Sequence, residues 1–264
     1  MMGETRNHFA AFGSGAVIGT LGGLIGLGGA EFRLPLLIGL FRFTALEAVI
    51  LNKAMSLVVV TAALLFRTRT VPFEIIASQW DVVVNLLAGS LAGAWCGASW
   101  AMRLKSEALH RIIAVLLVLI AGALLFGHDA SGQGHPLLVG YAQIGIGILA
   151  GFMIGVIASL LGVAGGELLI PTLVLLFGCD VKLSGSLSLA VSLPTMIVGF
   201  SRYSRNASFA VLGQNRPFLA SMVVGSVVGA FIGGLLVSVI PSAILLPLLA
   251  TILILSAVKV WRYL

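Results

Sequence analysis

Charge is the scarcest thing in this chain. Only 9% of its 264 residues are Asp, Glu, Lys or Arg, against 59% hydrophobic, and the mean hydropathy is +1.15, far outside soluble globular usage. Positions 82–101, 137–166 and 217–258 carry no charge at all, the last stretch being divided by Pro241. A soluble domain is excluded. About 20 apolar residues cross a bilayer core as a helix, and backbone in lipid must satisfy its own hydrogen bonds. The expectation is an all-α polytopic membrane protein. Cysteine is nearly absent too: Cys96 falls mid-helix and Cys179 near a loop, so no disulfide framework is supported. The predicted helices hold no histidine cluster, no Ser/His/Asp arrangement and no metal-ligand spacing, which argues against an enzyme, a metal or a cofactor. His128, Asp129 and His135 share the stretch "GHDASGQGHP", read as a solvated loop.

The formal charge of +6 invites a nucleic-acid partner, but the Lys and Arg residues are scattered between apolar segments. Positive-inside topology accounts for them better, with membrane lipid as the surrounding partner. Arg6 and His8 precede an apolar stretch in the manner of a signal peptide. No small-x-small cleavage site leads on to a soluble domain, so this stretch reads as the first membrane helix.

What the chain does have is a repeat. "GLGGAEFRLP" runs from Gly26 to Pro35, and "GVAGGELLIP" from Gly162 to Pro171. A shift of 136 aligns the halves without a gap, pairing Gly19/Gly155, Gly26/Gly162, Gly29/Gly165, Glu31/Glu167, Pro35/Pro171, Phe41/Phe177, Ala54/Ala190 and Ser56/Ser192. The same offset continues through Gly89/Gly225, Gly93/Gly229 and Gly97/Gly233. Apolar bias alone would scatter Leu and Ala matches but would not place Gly, Glu and Pro at one offset. This is a duplication, a signature of secondary transporters. It divides the chain into a first transmembrane repeat (1–127), a linker (128–137) and a second repeat (138–264).

Each repeat reads as about five helical segments: 9–27, 31–41, 44–66, 75–102 and 107–127, then 138–162, 167–177, 181–202, 216–240 and 243–262. The second segment of each set, about 16 Å long at 1.5 Å per residue, is too short to cross alone. With its predecessor it suggests a broken, re-entrant Gly-rich hairpin that enters and leaves on one face. Five segments is an odd number, so the repeats should be inverted. The inverted arrangement with a cytoplasmic N-terminus puts Arg6, Arg42, Arg103, Lys105, Arg111, Arg202, Arg205, Arg216, Lys259 and Arg262 inside. It leaves only Arg67, Arg69 and Lys182 outside. Reading 9–41 as one crossing gives four spans per half, parallel repeats and a weaker asymmetry. The positive-inside rule favours the inverted form with both termini cytoplasmic, in a cell (inner) membrane. Gly15/Gly19/Gly23, Gly147/Gly151/Gly155, Gly89/Gly93/Gly97 and Gly225/Gly229/Gly233 recur every four residues, as close helix packing in lipid requires.

The breaks expose backbone N–H groups, tolerated at membrane depth only in protein or beside an aqueous cavity. Gly28 and Gly29, and Gly165 and Gly166, would form two anion cradles at short-helix N-termini, near the midplane. The plainer reading is that these glycines only let helices cross. A dinucleotide loop fails because no strand precedes Gly26. Glu31 and Glu167 start the short helices, either as caps or as carriers of a coupled proton. Arg33 has Leu169 as its counterpart, so the halves differ in charge. Lys53 falls midway along 44–66, where a lysine costs roughly 2.5–3.5 kcal/mol on insertion scales. It is either a structural partner of Glu31 or Glu47, or a cation facing substrate, with Asn52 beside it as a donor. In the other half Ser184, Ser188 and Ser192 stand one turn apart, hydroxyls suited to an oxyanion. Arg202 and Arg205 read as topology anchors.

The doubled block Gly26-Leu27-Gly28-Gly29…Pro35 and Gly162-Val163-Ala164-Gly165-Gly166…Pro171, the Asn52-Lys53 pair, and Arg67 and Arg69 before Trp80 resemble the sulfite exporter TauE/SafE family over essentially the whole chain. Against the family pattern, Ala30 stands where a third glycine is usual and Ala164 replaces a motif glycine. The resemblance implies transport of sulfite, sulfonates such as sulfoacetate or isethionate, and related small sulfur anions, driven by protons. A passive anion channel on the same fold is the alternative. A homodimer is compatible with either.

Overall fold

A computed structural model of the chain describes residues 8–25, 29–67, 73–126, 138–179 and 181–236, with scattered positions between 251 and 261. Among them the regular structure is helical throughout. The first half holds α1 (His8–Ile25), α2 (Ala30–Gly39), α3 (Ala45–Arg67), α4 (Phe73–Ser78), α5 (Trp80–Ala101) and α6 (Ser106–Phe126). The second holds α7 (Tyr141–Leu161), α8 (Gly166–Phe177), α9 (Val181–Tyr203), a 3-10 turn at Ala207–Phe209, α10 (Ala210–Gln214) and α11 (Arg216–Leu236). Among the described residues, five helices are long and apolar enough to cross a membrane: Ala45–Ala62, Trp80–Ala101, Tyr141–Leu161, Leu183–Tyr203 and Arg216–Gly233. The linker 128–137 and positions 237–250, which include the start of the expected last segment, lie outside the described residues.

The offset of 136 carries element onto element. Both bounds of α3 shift onto those of α9, and the starts of α2 and α5 shift onto those of α8 and α11. Packing follows the same rule with the halves exchanged. Helix α1 lies along α11 of the other half, and α7 lies along α5. A Cβ built on Gly15 or Gly19 would strike the Met222 or Ser226 carbonyl oxygen. On Gly151 or Gly155, one shift along, it would strike those of Leu86 and Ser90. Gly93 and Gly229 meet Phe152 and Ala16 in the same way. The four-residue glycine spacing is thus a pair of backbone-to-backbone seams, where only a missing side chain lets van der Waals contact form.

Two boundaries differ from the sequence expectation. The segment expected at 75–102 is two helices, because the backbone turns at Gln79 (φ −105°, ψ 30°). At that break the Gln79 N–H donates back to the Ile76 carbonyl at 3.2 Å, and α5 restarts with the Val83 N–H donating to the Gln79 carbonyl at 3.2 Å. Helix α7 starts at Tyr141 rather than 138, because Gly140 (φ 69°, ψ −146°) holds a conformation that cannot continue a helix.

Candidate functional site

Lys53 lies within α3 and is wholly buried, as is Asn52. Its ammonium donates to the Ala158 carbonyl oxygen at 3.3 Å and to Ser159 Oγ at 3.4 Å. Both partners belong to the last turn of α7, and both are uncharged. Helix α7 stops there because Gly162 takes a left-handed conformation (φ 68°), and a Cβ built on it would strike the Val49 carbonyl oxygen and crowd the Lys53 backbone nitrogen. A helix C-terminus carries partial negative charge and orphan carbonyls, so a cation placed there is stabilised. The expected partner Glu47 is engaged elsewhere. Its carboxylate accepts from the Thr44 N–H at 3.0 Å and hydroxyl at 2.9 Å, a capping box that starts α3.

Asn52 ties three elements. Its Nδ2 donates to the Ala30 carbonyl at the start of α2 (3.0 Å) and to the Leu161 carbonyl at the end of α7 (3.1 Å). The side chain expected to offer a donor therefore spends both N–H groups on backbone and keeps its oxygen. On α2, Glu31 and Arg33 are 2% and 0% exposed and lie within electrostatic reach of each other. Gly29, left-handed at φ 67°, precedes the helix and packs against Ile18 and Gly22 of α1. Gly28 lies outside the described residues.

The second break is built alike. Gly165 is left-handed (φ 81°) and Gly166 opens α8. Gly165 packs on Ile154 and Ala158 of α7. Glu167 falls in the first turn of α8, and its side chain lies outside the described part. Ser192 donates to the Ala164 carbonyl at 2.8 Å, binding α9 to the break. Ser184 and Ser188, also buried, donate to the Cys179 and Gly185 carbonyls. All three hydroxyl protons thus point at backbone, and what they retain is acceptor capacity. The structure joins Lys53 and Asn52 to Ala30 and to the end of α7, whereas the hydroxyls of the serine row donate to Cys179, Gly185 and Ala164, within α8–α9 and the second break.

Three further residues belong to this cluster. Ser159 receives Lys53, and the buried Tyr203 hydroxyl donates to the Ser159 carbonyl at 2.8 Å. Gly199 of α9 leaves room for the Lys53 side chain, whose Cε lies 2.9 Å from a Cβ built there. A serine and a glycine in apolar helices carry no signal for this, although Tyr203, one of three tyrosines in the chain, could have drawn notice. Arg202 donates to Ser99 Oγ at 2.7 Å and stacks 4.9 Å over Trp95, with Arg205 at 5.6 Å, so these anchors also tie α9 to α5.

A family model described as sulfite exporter TauE/SafE matches residues 10–260. The chain belongs to this family. It is thereby a multi-pass membrane transporter. The chain is also 24% identical over 205 residues to the probable membrane transporter protein YunE of Bacillus subtilis (strain 168), covering 70% of this chain and 74% of the relative. No solved structure matches. Within the TauE/SafE family, the doubled glycine block here frames α2 and α8, and the Asn52-Lys53 pair reaches from α3 into the other half.

Proposed function

We propose that this protein is a proton-coupled secondary transporter of small sulfur-containing anions, such as sulfite or sulfonates including sulfoacetate and isethionate. The anion binds near the membrane midplane between the two Gly-rich breaks, against Gly28, Gly29, Arg33, Asn52, Lys53, Gly165, Gly166 and the Ser184, Ser188, Ser192 row. The observation that carries the reading is Lys53, a buried cation whose hydrogen-bond partners are neutral. Burying an ammonium costs several kcal/mol unless compensated, and an anion supplies the missing charge.

Inverted repeats in a cell membrane, with both termini cytoplasmic, fit this mechanism. Gly29 lies back beside Ile18 and Gly22, and Gly165 beside Ile154 and Ala158, which supports chain reversal at each break over one continuous crossing. Lys53 of α3 sits beside Gly199 of α9, the corresponding helix of the other repeat. Rocking of one repeat against the other would then expose the anion alternately to each side. Glu167, with Leu168, Leu169 and Ile170 after it, is assigned the coupled proton, and Glu31 is its counterpart.

The test is uptake of labelled sulfite into proteoliposomes. A transporter accumulates the anion against its gradient when an inward proton gradient is imposed, and exchanges it at equal pH. Flux that only ever runs down the anion's own gradient would replace this reading with the channel.

A further inference from the structure

Lys105 and Arg111 share a recess at the start of α6, about 310 Å³ in volume, with Glu107, Ala108 and Ile112. Both cations are exposed, and neither belongs to the Lys53 cluster. A second recess, about 380 Å³, lies farther along the same helix. It is lined by apolar residues alone, of which Val115, Val118, Leu119, Val258 and Trp261 are exposed. Register joins the two recesses. Positions 108, 111, 112, 115, 118 and 119 follow one another at helical spacing, so they form one stripe down α6. From Ser106 to Leu119 the helix rises about 20 Å, close to the depth of one leaflet from headgroup to midplane, about 20–22 Å.

Exposed apolar residues alone are what any lipid-facing helix shows. A pair of cations in a recess at the head of the stripe is not. Positive-inside topology explains the sign of Lys105 and Arg111, but it does not require them to share a recess above an apolar furrow. At the offset of 136, Lys105, Glu107 and Arg111 map onto Pro241, Ala243 and Pro247, so the charged set belongs to one half only. We infer that this furrow is a binding site for an anionic phospholipid. Lys105 and Arg111 hold the phosphodiester, and an acyl chain lies along Ile112, Val115 and Leu119 against Val258 and Trp261. Two cations and one carboxylate leave a single positive charge, which one phosphodiester neutralises; Glu107 opposes a free dianion such as inorganic phosphate. The arrangement proposed above puts the start of α6 on the cytoplasmic side, where the leaflet carries negative surface potential and basic recesses between helices take acidic headgroups. The assignment is separate from the transported anion and stands or falls without it.

The test compares phosphatidylglycerol with phosphatidylcholine of identical chains. Each is added in a concentration series to the purified full-length protein in detergent, with thermal stabilisation as the readout. Phosphatidylglycerol should half-saturate at a mole fraction about fivefold lower or more, the worth of one net basic charge at a membrane surface. Lys105→Gln combined with Arg111→Gln should abolish that preference. Equal stabilisation of the unaltered protein by the two lipids would overturn the inference and leave the furrow to ordinary surrounding lipid. Inorganic phosphate stabilising as well as phosphatidylglycerol would overturn it too, leaving only an anion contact. A preference that survives in the double variant places the lipid elsewhere. Should the double variant fail to fold, Leu119→Trp crowds the furrow while keeping both cations, and should weaken phosphatidylglycerol several-fold; unchanged binding there overturns the site. Crosslinking of Leu119→Cys between two copies, after replacing the exposed Cys96, would give the furrow to a second copy instead.

Discussion

Lys53 is where a single substitution should matter most. Lys53→Ala deletes the buried cation and strands the Ala158 carbonyl and Ser159 hydroxyl it served. Truncating a buried, hydrogen-bonded charge costs about 2–5 kcal/mol, which corresponds to at least a roughly 30-fold loss of anion affinity. Lys53→Arg should be impaired as well, because a planar fork cannot occupy the place of a compact ammonium beside Gly199. Titration of sulfite against the folded variants checks both, and normal binding by Lys53→Ala would remove it from the site. Glu167 tests coupling separately. Glu167→Gln should still bind the anion and exchange it at equal pH, yet lose accumulation driven by a pH gradient. Wild-type accumulation in that variant would leave Glu167 as a helix cap only.

At the scale of elements, the seams between α5 and α7 and between α1 and α11 set how closely the halves approach. A methyl at Gly155 meets the Ser90 carbonyl and the Ala94 nitrogen, so backbone itself would have to move. Gly155→Ala should therefore lower Tm by several degrees, overpacking of this kind costing about 1–3 kcal/mol. Gly145, on the same helix, has open space where its Cβ would stand. Gly145→Ala should hold or raise Tm, since alanine is the better helix former by about 0.5–1 kcal/mol. Equal effects at the two sites would show that helix propensity, not the seam, governs these glycines. The breaks are elements too: Gly29 and Gly165 hold left-handed backbone, and each faces the helix before it.

For the whole molecule the decisive quantity is the side of the membrane on which each repeat begins. Inverted repeats place the start of α7 outside, whereas four-span parallel repeats place it inside. Tyr141 is fully accessible there. Tyr141→Cys, made after replacing the exposed Cys96 and retaining the buried Cys179, should react in intact cells with a thiol reagent that cannot cross the membrane. Reaction only after permeabilisation would establish the parallel arrangement. The exchange of partners between halves, α1 with α11 and α7 with α5, also means that neither half buries its glycine seam alone. Each repeat expressed separately should therefore fold poorly.

Composition and repetition by themselves determined the membrane class, the duplication at 136 residues, the short helices α2 and α8, and the presence of a lysine inside an apolar helix. These are local or additive properties. A charge in an apolar helix, or glycine before a short helix with proline inside it, has the same physical meaning in any fold. Only the tertiary structure decided which groups meet. Ser159 in α7 is 106 residues from Lys53 and reads as one more small residue until α3 crosses it. Which end of the Asn52 amide faces the site depended on two carbonyls, at Ala30 and Leu161, that come from different halves. The serines of α9 were visible as a stripe, but their protons turned to Cys179, Gly185 and Ala164. A hydroxyl inside a helix takes the nearest free carbonyl, and where those lie is a property of the breaks. Residue types set what each group can donate or accept; the crossing of the two halves set whether it was still free to do so.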